Sequence, residues 1–308
     1  MQNKSSARPL RYFAPAKINL YLHVTGQRPD GYHELDSVVI FAPIGDDIFI
    51  LPADNLTLEI VGPEAHALQE FEASENLVFR AAHMLAEKYK VTTGAAITLN
   101  KVLPVASGMG GGSADAAATL KALVDFWNLK PTDGELAELA LALGADVPVC
   151  LKSRPLRMTG IGEKLHETPV MPNGCLVLVN PRINQSTPDV FAELHRGKWK
   201  PRDFAPALPS DLDFYSYVFE LKSRANELEQ PATRLAPVIE EVLSVIGAQA
   251  NCRLARMSGS GATCFGLFQR IEEAEAAAAE IRRHQPDWWI QTAGSGDEGH
   301  DLRQAYTG

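Results

Sequence analysis

The sequence predicts an α+β protein built in two domains, the second with a ferredoxin-like order of elements. Three observations carry this. The chain has 308 residues, about twice an average domain. In its first half, strand-like runs come before helical ones. In its second half, short apolar runs and helices follow the order β-α-β-β-α-β with an extra helix. Hydrophobic residues make up 45% and charged residues 22%, which supports a sizeable core and excludes disorder of the whole chain.

The first strand has the clearest pattern. Ile18, Leu20, Leu22 and Val24 alternate with Lys17, Asn19, Tyr21 and His23, so period two sends the first set to the core and the second to the opposite face. A turn-rich stretch, Gly26 to Tyr32, follows. Strand-like runs come next near 35–41, 47–51 and 56–61. Ser74 is expected to cap a helix from Glu75 to about Tyr89, and 95–100 reads as a strand. After a glycine-rich loop, Leu120, Leu123, Val124 and Trp127 mark one face of a helix. Thr132 and Glu135 form a capping-box pair for the next helix, which Gly144 stops.

A turn at Gly160 and Gly162 opens the second half. Strands are expected at 175–179, 253–257, 263–268 and 288–292. Helices are expected at 188–195, 235–246 and 272–283. Residues 197–215 read as a surface excursion, and the polar tail from about 294 as frayed. The domains are then 1–162 and 163–308.

Composition excludes several roles. Asp and Glu total 38 against 29 Lys and Arg, a net charge of −9, so a nucleic-acid partner is not expected. No apolar run reaches the ~18 residues that span a bilayer, and no membrane association is expected. The N-terminal stretch lacks an apolar segment of signal-peptide length. Cys150, Cys175, Cys252 and Cys264 form neither a C-x-x-C pair nor a zinc pattern with histidine. Buried free thiols and a reducing compartment, the cytoplasm, are the expectation. The oligomeric state is not legible.

The sharpest chemical feature is the loop Pro104-Val105-Ala106-Ser107-Gly108-Met109-Gly110-Gly111-Gly112-Ser113-Ala114, set between a strand and an alanine-rich helix. Consecutive glycines let backbone N–H groups turn to one point, and the helix N-terminus adds its dipole. That suits a polyphosphate better than a plain connector. It is not a P-loop, because Gly112 is followed by Ser113 with no lysine, and it misses the third glycine of a dinucleotide fingerprint.

Asp146, in Gly144-Ala145-Asp146-Val147-Pro148, follows a helix end among apolar residues. Alone it reads as a solvated turn residue, and Lys17 alone as a solvated strand-face residue. Paired, Asp146 would serve as base for a hydroxyl and Lys17 would hold it ionised. Ser258-Gly259-Ser260-Gly261-Ala262 bridges two strands, either as a simple hairpin or as part of a site.

Together, Pro15-Ala16-Lys17-Ile18-Asn19-Leu20, the 104–117 loop, the Asp146 segment and the Ser258 segment resemble the motifs of the GHMP kinases, in their usual order. The resemblance spans about residues 11–290. It implies an N-terminal ATP-binding domain like domain 2 of ribosomal protein S5, a ferredoxin-like C-terminal domain, and an active site between them. It implies Lys17 and Asp146 as the catalytic pair, residues 104–114 around the phosphates of ATP, and Mg²⁺ as counter-ion. Asp115 would face that ion.

Within the family, Gly26, Arg28 and Asp30-Gly31-Tyr32-His33 are similar to members that phosphorylate the 2-hydroxyl of 4-diphosphocytidyl-2-C-methyl-D-erythritol in non-mevalonate isoprenoid synthesis. That small molecule is then the expected partner. Asn19, Tyr32, His33, Thr187 and Phe191 match its binding positions, with Tyr32 and Phe191 sandwiching the cytosine and His33 on its edge. Ala106 and Ser107 replace two family glycines and would be strained at positive φ. A homoserine- or mevalonate-type kinase, or a nucleotide-binding protein without catalysis, are the competing readings. The Tyr32-His33 segment argues against the first, because those substrates have no base to stack, and retention of both Lys17 and Asp146 against the second.

Overall fold

The computed structural model describes residues 9–69, 72–196, 199–294 and 302–304. Two long strands, β1 (Leu10–Gln27) and β2 (His33–Ala53), pair antiparallel and form the spine. The two runs expected at 35–41 and 47–51 are one strand. The register shifts between Pro15 and Ala16, and beside that irregularity Gly45 lies against the backbone of Ala14, where a Cβ would collide.

Next come β3 (Thr57–Val61), α1 (Leu77–Tyr89) and β4 (Gly94–Asn100). Ser74 does not cap α1. Residues Ala73–Glu75 form a 3₁₀ turn, and the Asn76 side chain accepts the Val78 N–H at 2.9 Å, a role asparagine fills as well as serine. Helices α2 (Gly111–Phe126) and α3 (Asp133–Leu143) follow. The Thr132–Glu135 capping box is present, and α3 ends at Gly144. A short helix not expected from the sequence, α4 (Val147–Lys152), begins directly after Asp146.

The hairpin β5 (Leu156–Gly160) and β6 (Lys164–His166) extends the first sheet along β2. The chain therefore leaves this sheet after His166 and not at 162. The second sheet holds β7 (Cys175–Asn180), and α5 (Thr187–Arg196) follows it. Residues 199–213 run without regular structure but are anchored, since Ala205 N–H donates to buried Asp36 at 2.7 Å. Then come α6 (Phe214–Lys222), α7 (Glu229–Leu235) and α8 (Val238–Gly247). The helix expected over 235–246 is α8, which starts three residues later because Leu235 ends α7 and Ala236 and Pro237 lie between the two. Finally β8 (Leu254–Met257), β9 (Cys264–Phe268), α9 (Ile271–His284) and β10 (Trp289–Gly294) complete the second sheet in the order β10-β7-β9-β8.

The tail expectation lies mostly outside the described residues. Its described part is not frayed: Leu302 is buried, and β11 (Arg303–Gln304) pairs with β1 as an edge strand.

The molecule is layered as helices, sheet, sheet, helices. On β7 and β9 the alternation is plain. Leu176, Leu178, Phe265 and Leu267 face the first sheet, while Val177, Val179, Cys264 and Phe268 face the helices of the second half. Cys150, Cys175 and Cys264 are buried, Cys252 is half-buried, and all four are free. Among the described residues no helix is long and apolar enough to cross a membrane.

The first strand departs from its expected alternation. Asn19 pairs with Val39 and Tyr21 with Val38, so Leu20 is an extra residue in a β-bulge. Side chains facing one way before a bulge and after it differ in parity. Leu22 and Val24 therefore continue the face of Lys17 and Asn19, while Tyr21 and His23 continue the face of Ile18. Both faces are covered, which is why Tyr21 and His23 are buried as well.

Candidate active site

A cleft of about 1130 Å³ opens between the two sheets' loops. Its floor is β1. Lys17 and Asn19 are both buried there, and Lys17 Nζ donates to Asp146 Oδ2 at 2.7 Å. The lysine side chain is 5% exposed and the aspartate 38%. One partner is thus fixed in the wall while the other remains open to the cleft.

The glycine loop is held against this floor. Lys17 N–H donates to Met109 O at 2.9 Å, and Thr263 N–H donates to Ser107 O at 3.0 Å. Gly108 and Gly110 have φ of 74° and 61°, the left-handed region that favours glycine. A Cβ at Gly108 would strike Ser258 O. Ala106 also has positive φ, 49°, so the alanine that replaces a family glycine sits where about 1 kcal/mol of strain is expected. Ser107 is not in that region; it is buried. No side chain caps α2 at Gly110. The first-turn N–H groups of Gly111, Gly112 and Ser113 are left for an anion, next to the positive end of the helix dipole. Pro104, Val105, Ala106, Ser107, Gly108, Gly110, Gly111, Gly112 and Ser113 line the cleft, whereas Met109 and Ala114 are buried behind them.

The loop between β8 and β9 belongs to the same wall. Ser258 Oγ donates to Gly108 O at 3.0 Å and accepts Asn19 N–H at 3.1 Å. Ser260 Oγ lies 2.6 Å from Thr187 Oγ1. Asn19 Nδ2 donates to Ser37 Oγ at 2.8 Å. Its Oδ1 is buried and has no partner among the described residues, so an acceptor in the cleft wall is left for a ligand donor.

Asp115 does not sit as the sequence suggests. It is buried, and Lys101 Nζ donates to both Asp115 Oδ2 at 2.8 Å and Asp46 Oδ2 at 2.6 Å. Asp46 also accepts the N–H groups of Val102 and Leu103 at 2.5 and 2.9 Å. Burial and the neighbouring Asp46 push the Asp115 carboxyl well above its usual range. Burial alone would lower the Lys101 pKa; the two carboxylates more than offset it and raise it. This cluster lies under the start of α2, and sequence reading missed Asp46 and Lys101 because one lies inside β2 and the other just past the end of β4.

At the far end of the cleft, Tyr32 is 58% exposed on the turn before β2. The ring lying on Phe191 is that of His33, with centroids 4.3 Å apart and planes at 16°. His33, expected at the edge of the base, thus lies on a face of Phe191 instead. His33 Nε2 also lies 2.7 Å from His195 Nε2. Burial, then His195, lowers the His33 pKa. His195 stands one helical turn from Phe191 on α5, a spacing that could have flagged it.

Family models for the GHMP kinase N-terminal domain and C-terminal domain match residues 76–154 and 215–287. A 4-diphosphocytidyl-2-C-methyl-D-erythritol kinase of Paramagnetospirillum magneticum is 50% identical over 280 residues, 91% of this chain and 96% of that one. The chain belongs to the GHMP kinases. A kinase of the same description from Parvibaculum lavamentivorans is 49% identical over 94% of this chain and 99% of its own. Among solved GHMP kinase folds, a 4-(cytidine 5'-diphospho)-2C-methyl-D-erythritol kinase superposes with a TM-score of 0.74 at 34% identity, covering 93% of this chain and 100% of the other. A homoserine kinase of Cytophaga hutchinsonii reaches 0.67 at 17% identity over 97% and 98%, a likeness of fold alone.

Proposed function

We infer that this GHMP kinase transfers the γ-phosphoryl group of ATP to the 2-hydroxyl of 4-diphosphocytidyl-2-C-methyl-D-erythritol. The observation that carries the chemistry is the Lys17–Asp146 pair on the cleft floor, facing the uncapped start of α2. Asp146 takes the hydroxyl proton. The alcohol oxygen bonds to the γ-phosphorus, the bond from that phosphorus to the β–γ bridging oxygen breaks, and ADP leaves. Lys17 holds Asp146 in place and offsets negative charge on the transferring group.

Residues 104–114 form the triphosphate cradle, with the α2 N–H groups as donors. Asn19 Oδ1 accepts from the acceptor substrate, and Thr187 flanks it. Tyr32, His33 and Phe191 receive the cytosine. These rings weigh against a homoserine or mevalonate substrate, which offers no base to stack. Mg²⁺ would enter with ATP as its counter-ion and would supply positive charge against the phosphates. Asp115 is engaged by Lys101, and among the described residues no group of three metal-ligating side chains stands ready for the ion. The strands and helices from β1 to β6, with β11 on the edge of their sheet, form the ATP-binding domain, and those from β7 to β10 the ferredoxin-like one. The free cysteines fit the cytoplasm.

The test is ADP release with the cytidyl substrate, homoserine and mevalonate in turn, for the wild type and Tyr32→Ala. Turnover is expected with the cytidyl substrate alone. Tyr32→Ala should raise its KM by roughly 5- to 150-fold, the range of a lost base-stacking partner, and leave the KM for ATP unchanged. Equal turnover of homoserine would overturn the assignment.

A further inference from the structure

We infer that Arg182 and Glu64 are positioning residues for the phosphate loop, and that their ion pair raises the enzyme's affinity for the nucleotide from outside the cleft. The inference rests on residues 104–114 being the triphosphate cradle. Arg182 Nη1 donates to Glu64 Oε1 at 2.6 Å. Glu64 follows β3 in the first half of the chain, and Arg182 follows β7 in the second. The Glu64 side chain is 5% exposed and that of Arg182 44%. Neither residue lines the cleft, so the pair acts on ATP only through the groups that it holds.

Those groups form a closed ring around the entry to the loop. Glu64 N–H donates to Lys101 O at 3.0 Å, and Thr263 N–H donates to Ser107 O at 3.0 Å. Between these anchors, Arg182 N–H donates to Asn180 Oδ1 at 2.7 Å, and Asn180 Nδ2 donates to Thr263 Oγ1 at 2.9 Å. The ring crosses between the halves at the backbone bond from Thr263 to Ser107 and again at the ion pair. Asn180 and Thr263 are fully buried, and a Cβ at Gly62 would strike Lys101 O. Both sides of the ring are therefore set in packed structure.

The ring matters because of what it encloses. The segment from Lys101 to Ser107 is held at its first carbonyl by one half of the molecule and at its last by the other. Ala106 lies within it at a φ of 49°. A non-glycine residue in that region persists where its surroundings over-determine it. The two anchors do this only while the distance between them is fixed, and the ion pair ties them together. A loop fixed before ATP arrives binds it without the entropic cost of being ordered.

The test uses the whole enzyme with ATP and the cytidyl substrate. Arg182→Ala should raise the KM for ATP and the calorimetric Kd for ADP about 3- to 30-fold, the span for changes that reach a site through a packed network. The kcat, the cytidyl KM and Tm should stay near wild type. Arg182→Lys, which keeps the charge, should recover part of the loss. Glu64→Ala should match Arg182→Ala, and the double variant should go no further, since either change opens the same link. An unchanged KM for ATP in Arg182→Ala, with or without a lower Tm, makes the pair structural and overturns the inference. So do additive effects in the double variant, or a parallel change in kcat and the cytidyl KM, the mark of general loosening. Gly112→Val is the reference for the cradle, because its Cβ would meet only Leu77, another residue of the cleft wall. If it raises the KM for ATP while Arg182→Ala does not, the clasp is wrong and the cradle stands. If Gly112→Val is itself silent, the cradle reading falls and the clasp with it.

Discussion

Lys17 Nζ and Asp146 Oδ2 meet at 2.7 Å although 129 residues separate them in the chain. One comes from the middle of a buried strand and the other from the residue before a short helix. The lysine loses nearly all its water and keeps one anionic partner, while the aspartate retains access to the cleft. That asymmetry suits a charge that must stay fixed beside a group that must exchange a proton.

Asp146→Asn should therefore bind ATP and the cytidyl substrate and still fold, with kcat lowered about 10²- to 10⁴-fold, the range for loss of a general base. Lys17→Met should also lower kcat. Steady-state kinetics with calorimetric binding checks both. A kcat for Asp146→Asn within about threefold of wild type, too little for such a loss, would make this carboxylate structural.

Gly110→Ala tests the link between the loop and the pair. A Cβ there would lie 3.2 Å from Lys17 Cε, at a backbone φ of +61°. The expected outcome is a lower kcat with the fold retained, since Lys17 is pushed from Asp146 and the loop is strained by about 1 kcal/mol. Gly112→Ala, whose Cβ meets only Leu77 at 3.6 Å, should leave kcat closer to wild type. Equal kcat in the two variants would remove the steric link to Lys17.

Lys101→Met strips the shared cation from Asp46 and Asp115. Two carboxylates are then buried without a counter-charge, which costs about 3–5 kcal/mol and should lower Tm by several degrees in a thermal melt. Asp115→Asn should be milder, because burial and Asp46 already favour the neutral form of that side chain. If the two variants melt alike, the cluster carries little of the fold.

His23 gives a pH signature. Burial, then Arg202, pushes its pKa down to about 4 from 6.5. Above pH 6.5 the ring is neutral in both folded and unfolded chains, and its contribution is constant. Between pH 6.5 and 4 the unfolded chain takes up the proton first, so stability falls as the pH falls, by up to roughly 3 kcal/mol. His23→Gln should flatten the loss of Tm across that window. An unchanged slope would place the acid sensitivity elsewhere.

From residue order alone came the α+β class, the ferredoxin-like second half and the phosphate loop at the head of a helix, while the pairing of Lys17 with Asp146 came from the resemblance to the GHMP kinases. The first three are local: strand period, capping boxes and runs of glycine act over a few residues. The bulge at Leu20 was not legible, because which side of a strand is buried depends on what packs against it, and here both sides are covered. Nor was the single long β2, whose register irregularity brings Gly45 against Ala14. Tertiary structure alone decided that Asp115 faces Lys101, since that lysine follows β4 and Asp46 lies inside β2. It likewise decided that His33 lies on Phe191 and bonds to His195. Those partners are joined by the packing of α5 over the start of β2, a long-range contact that no short-range periodicity encodes.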